Sequence, residues 1–158
     1  MGDGSLSRFE RAIFLYWEGV GINMLIQLWP LYAPTSFLEA FVPAFQASGV
    51  LEHPVAKLLT RCWAYMIVVL GLLEVSVLRT GPLPAACFLA AAAAGDALHL
   101  AIYGAYSASY GVLDGGAVFG LVQTTALFAL RLRWLWRERA CWLAEVWACR
   151  AGSERLLA

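Results

Sequence analysis

The sequence predicts an all-α integral membrane protein: a four-helix up-down-up-down bundle with an interfacial C-terminal helix. Three observations predict it. The 158 residues are 61% hydrophobic and only 14% charged, with a mean hydropathy of +0.69, which lies outside the composition of ordinary globular domains. Four apolar stretches approach or exceed the roughly 18 to 20 residues that cross a ~30 Å hydrocarbon core as a helix. Positive charge then falls almost entirely on one side of those stretches.

The first span, Ile13–Tyr32, is apolar apart from Glu18, Asn23 and Gln27, and the basic residues before it resemble a signal peptide without a small-residue cleavage site. It reads as an uncleaved first span. The second is Leu58–Leu78, with Glu74 near its end, and the third is Leu83–Tyr106. The fourth begins at Gly115 and reaches about Arg131, so that residues 1–131 form the membrane domain and 132–158 a cytoplasmic tail. Arg61 and Arg131 stand at span ends, where long cationic side chains snorkel to the interface.

Between the first two spans, TSFLEAFV carries Leu38 and Phe41 on one side of a short candidate helix, with Phe45 beyond it. This segment reads either as an interfacial helix over the bundle mouth or as a loop anchored by aromatics. RTGP, Arg79–Pro82, is a tight turn that makes spans two and three antiparallel neighbours. Once the spans are fixed, nine of the eleven Lys and Arg residues share one side with both termini, leaving only Lys57 and Arg61 opposite. Both termini are therefore expected in the cytoplasm. The tail, rich in Arg and Trp, suits a helix that continues span four and then lies at the headgroup surface. Four scattered cysteines form no CxxC pair, so no zinc site or disulfide framework is expected.

Ionisable groups inside the apolar lengths are the candidate chemistry: Glu18, Glu74, and the pair Asp96 with His99. A carboxylate at the bilayer centre costs about 2.5 to 3.5 kcal/mol on insertion scales, so these groups are expected to face the bundle interior. At 1.5 Å per residue, Glu18 and Glu74 lie roughly 6 to 9 Å inside the cytoplasmic boundary, whereas Asp96 and His99 lie roughly 20 to 24 Å deep. The expectation is two neighbours in one half and a separate pair in the other. Asp96, His99, Tyr103 and Tyr106 share one helical stripe. An Asp beside a His sets the imidazole tautomer and suits acid–base work; equally, the pair satisfies itself and bonds Gln123 or Thr124 across the span-four interface.

FLYWEGVG in span one, LGLLEVSVLR closing span two and GDALHLAIYGAY in span three resemble a family of small fungal four-span integral membrane proteins of uncharacterised function. The resemblance covers most of residues 14–133 and places Glu18, Glu74, Asp96 and His99 on that family's acidic and histidine positions. It implies an endoplasmic reticulum location. More distantly, the layout is similar to the emopamil-binding (EXPERA) group and to DoxX-like proteins. In the EXPERA group, membrane-cavity acids and histidines serve sterol isomerisation or ligand binding. Fungal membrane-bound terpene cyclases likewise protonate substrates with intramembrane carboxylic acids, but they have more spans, and this chain departs from both groups in size and motif.

The expected function is an intramembrane acid–base enzyme, an isomerase or cyclase acting on a lipophilic small molecule such as a sterol, terpenoid or polyketide. Asp96, His99, Glu74 and Glu18 are its candidate catalytic residues, and Tyr103, Tyr106, Trp63, Asn23 and Gln123 its candidate substrate contacts. The alternative is a non-catalytic lipid- or sterol-binding or accessory membrane protein. No Walker loop, nucleophile elbow, HExxH or dinucleotide fingerprint occurs, so no cofactor or metal is expected. Expected partners are the lipophilic small molecule and membrane lipid, with no nucleic acid, and homo-oligomerisation is open.

Overall fold

The computed structural model describes residues 6–41, 49–110 and 115–156, and the regular elements in them are all helical. The chain enters through a capped turn, α1 (Arg8–Arg11). The Ser7 hydroxyl accepts from the Glu10 N–H at 3.2 Å, and the Glu10 carboxylate accepts from the Ser7 N–H at 2.8 Å, the reciprocal box that an S-x-x-E order permits. Glu10 also accepts both terminal nitrogens of Arg137, at 2.7 and 2.8 Å. Burial opposes its ionisation, but the Arg137 and Ser7 hydrogen bonds outweigh burial and hold Glu10 below its ordinary 4.5. The same bonds raise Arg137.

From α1 the chain passes directly into a π-helix, Ala12–Ile26, then α2 (Leu28–Tyr32) and α3 (Pro34–Phe41). A fifteen-residue π segment is unusual. Buried side chains recur through and beside it: Glu10 just before it, Phe14, Leu15, Glu18 and Gly19 within it and Gln27 just after it, with Ile22 and Asn23 partly buried. In an α-helix a four-residue step drifts by about 40° per repeat. With i→i+5 bonding, a repeat of four to five residues keeps polar groups aligned on one face over the whole segment.

The longer helices follow: α4 (Pro54–Val77), α5 (Pro82–Tyr110), α6 (Gly115–Arg137) and α7 (Arg139–Leu156). His53 caps α4 by accepting from the Val55 N–H at 3.2 Å, with Pro54 in the first position. Thr80 closes the turn before α5 with its N–H on Val77 O at 3.0 Å. Of these, α4 and α5 are long and apolar enough to cross a membrane. The expected first span is helical but divided at Gln27, and the expected fourth runs on to Arg137 and carries Arg131, Arg133 and Arg137.

α5 packs most extensively on α6, the π-helix packs on α4, and α7 folds back onto α5. Glu145 of α7 accepts the Leu83 N–H at 3.0 Å, which satisfies a donor that a helix start leaves open. An apolar plug of Phe14, Leu15, Leu78, Leu89, Leu127 and Trp134 joins the π-helix, the close of α4, α5 and α6 at the end of the bundle that carries α1. At the opposite mouth the short helix expected over TSFLEAFV is present as α3. Its Phe37 stands edge-on to Trp29 at 5.6 Å and 5.8 Å from Trp63.

The two halves of the polar face meet closely. A Cβ on Gly71 would lie 2.7 Å from Asn23 Cβ and 2.9 Å from Gly19 O, and one on Gly19 would lie 2.7 Å from Val75 Cγ2. Only hydrogen fits there, so α4 and the π-helix touch backbone to backbone. Beyond the contact, α4 is inverted relative to a soluble helix. It buries Thr60, Ala64, Gly71 and Glu74 and exposes Leu58, Leu59, Tyr65, Met66, Leu72 and Leu73.

Candidate functional site

Three carboxyl groups and one guanidinium converge between the helices just past the apolar plug. Arg131 of α6 reaches inward and donates from Nη2 to Glu18 Oε1 and from Nη1 to Asp96 Oδ2. Its side chain is 3% exposed, that of Glu18 7% and that of Asp96 14%. Glu74 of α4 is buried beside Glu18 and accepts from Asn23 Nδ2 at 3.1 Å. One arginine thus ties the π-helix to α5 and α6, while Asn23 ties the same π-helix to α4.

Counting donors and acceptors exposes what the cluster lacks. Glu18 Oε2, Glu74 Oε1 and the Arg131 Nε–H are buried and have no hydrogen-bond partner among the described residues, although the two carboxyls are neighbours. Two ionised carboxylates offer only lone pairs to each other. A proton between them turns one into a donor and removes a like-charge repulsion from a low-dielectric site. Arg131 holds Glu18 from behind and Asn23 holds Glu74.

Placement of the other expected site residues is mixed. Glu18, Glu74, Asp96 and Asn23 come together, and this corrects the depth expectation that put Asp96 in the opposite half. Distance along a helix measures depth only if all helices start at one level, but the first turns of α5 are clad by α7. Asp96 bonds Arg131, whereas His99 is exposed and its ring lies 4.7 Å from that of Tyr103. Tyr103 reaches toward Gly120 of α6, its hydroxyl 4.0 Å from where a Cβ there would stand. Trp63 belongs instead to the aromatic group under α3, and Gln123 is half-buried on α6. The Tyr106 side chain and Phe45 lie outside the described residues.

Arg131 is the functional residue that the sequence reading missed, having assigned it to the interface as a snorkelling end residue. The signal for it was present. Thr124, Leu127, Arg131, Trp134 and Glu138 are all buried, and their 3-4-3-4 spacing is one face of a helix. Among the described residues, no group of three or more His, Cys, Asp or Glu has the arrangement of a metal site.

Family models, curated proteins and solved structures give no match to this chain.

Proposed function

We propose that the chain is a four-span integral membrane protein, with both termini cytoplasmic, whose buried carboxyl cluster performs acid–base chemistry on a lipophilic small molecule. Supporting the membrane reading is the inversion of polarity: large apolar side chains cover the outside while Glu18, Glu74 and Arg131 are buried within. Water-soluble monomers rarely expose continuous apolar surface on this scale. The divided helical run Ile13–Tyr32 and α6 as far as Arg131 supply the two spans beyond α4 and α5.

One observation carries the chemical reading: two buried carboxyls, Glu18 and Glu74, each with an oxygen that no described residue donates to and so placed to share a proton, connected through Arg131 to the partly accessible Asp96. Isomerising or cyclising an olefin requires one proton to be added at carbon and another removed, with no change of oxidation state. Asp96 is the cluster carboxyl that a substrate entering from the bilayer meets. His99 and Tyr103 lie on the same face of α5 to orient the substrate or take up the second proton. Glu18 and Glu74 stand behind as the proton reserve, and Arg131 fixes their positions.

A second reading rests on a specific observation: Arg131 bonds Glu18 and Asp96 together, as a purely structural staple in a lipid-binding or accessory protein would. The two separate by chromatography coupled to mass spectrometry, which resolves isomers of equal mass, of lipids held by the purified protein, before and after incubation in lipid discs with a total membrane-lipid extract. A lipid converted to an isomer by the wild type but not by Asp96→Asn supports the enzyme. The same lipid bound and recovered unaltered by both refutes it and supports the binder.

A further inference from the structure

A groove of about 470 Å³ opens at the end of the bundle where α1, the close of α4, the start of α5 and the late turns of α6 meet. Arg11 and Arg79 line it together with Tyr16, over a floor that includes Leu78, Ala85 and Trp134. Neither arginine has an ion-pair partner among the described residues, in contrast to Arg131 and Arg137. Trp134 is fully buried, and its Nε1–H, also buried, has no acceptor among the described residues. Two cations thus line one recess with an apolar base.

We infer that this groove binds the phosphate-bearing headgroup of an anionic phospholipid, with Arg11 and Arg79 on the phosphate and the lipid's apolar portion along Leu78 and Ala85. The inference rests on the membrane reading above, under which this end faces the cytoplasmic leaflet, where anionic lipids attract basic residues. A free phosphate shares the headgroup's charge, but it would make no use of the apolar floor. The site is separate from the carboxyl cluster, and its occupancy needs no turnover.

The test uses the full chain, delipidated and reconstituted in discs of phosphatidylcholine with a minor fraction of phosphatidylglycerol, and reads the lipids retained by native mass spectrometry. Wild type retains phosphatidylglycerol in preference. Arg11→Gln and Arg79→Gln each reduce that preference about fivefold, and Arg133→Gln leaves it unchanged. An unchanged preference in the double arginine variant, or an equal loss in Arg133→Gln, overturns the site. Displacement of the lipid by inorganic phosphate overturns the lipid assignment in favour of a free anion. Flotation with liposomes is read separately: a chain that does not associate with bilayers overturns the membrane reading and, with it, the lipid site.

Discussion

Arg131→Met is the most informative single perturbation, because it deletes the one cation of the cluster while keeping a side chain of comparable length. Both guanidinium ends are committed, to Glu18 and to Asp96, at side-chain exposures of 3%, 7% and 14%. Removing one partner of a buried ion pair leaves uncompensated charge and typically costs about 3–5 kcal/mol. Most of that loss belongs to Glu18, since Asp96 retains some access to its surroundings. The assay is equilibrium unfolding in mixed micelles, followed by tryptophan fluorescence. If charge is the cause, Glu18→Gln/Asp96→Asn/Arg131→Met recovers most of the loss, because a neutral buried site carries no comparable penalty. A single variant within about 0.5 kcal/mol of wild type would refute the reasoning, as would a triple variant no more stable than the single.

Three further outcomes follow from separate parts of the fold. Gly71→Ala puts a methyl group 2.7 Å from Asn23 Cβ and 2.9 Å from Gly19 O, and should cost about 1–3 kcal/mol in the same unfolding assay. Gly95→Ala, with nothing within 4 Å, should be neutral or gain up to about 1 kcal/mol. Because Glu10 is held below 4.5 in the folded chain, its contribution is complete above pH 4.5 and is lost as pH falls through the lower folded value. An acid titration of stability should therefore show a limb in wild type that Glu10→Gln lacks. Cys62 is exposed on α4; in a single-cysteine background it should resist a charged maleimide in bilayers and react once the protein is denatured, whereas rapid reaction in bilayers would place that face in water.

Helix existence was legible wherever hydropathy alone decides it. The stretches 58–78 and 83–106 correspond to α4 and α5, and RTGP to the turn between them. Ends were less legible because capping chemistry sets them. His53 and Pro54 start α4 ahead of the apolar run, and the SRFE box that starts α1 was readable as S-x-x-E but masked by the signal-like basic residues around it. The π winding left no comparable trace, since it depends on how the chain packs across Gly19 and Gly71 rather than on local preference.

The candidate acids were found because carboxylates in apolar runs are conspicuous, yet which of them meet was not. His99 follows Asp96 along the same stripe but lies exposed against Tyr103, while Asp96 bonds Arg131, thirty-five positions away in sequence. An arginine near a span end looks the same in sequence whether it snorkels outward or turns in. Only its register with Leu127 and Trp134 distinguishes the two.

The most direct test of the account is infrared spectroscopy of the protein in lipid discs at neutral pH, where surface carboxylates are ionised and a buried carboxylic acid gives its own carbonyl stretch. The account predicts such a band in wild type, its loss in the double variant Glu18→Gln/Glu74→Gln, and its retention in Asp96→Asn. A wild-type spectrum containing carboxylates alone, with no protonated acid, would contradict the shared proton and the acid–base chemistry built on it.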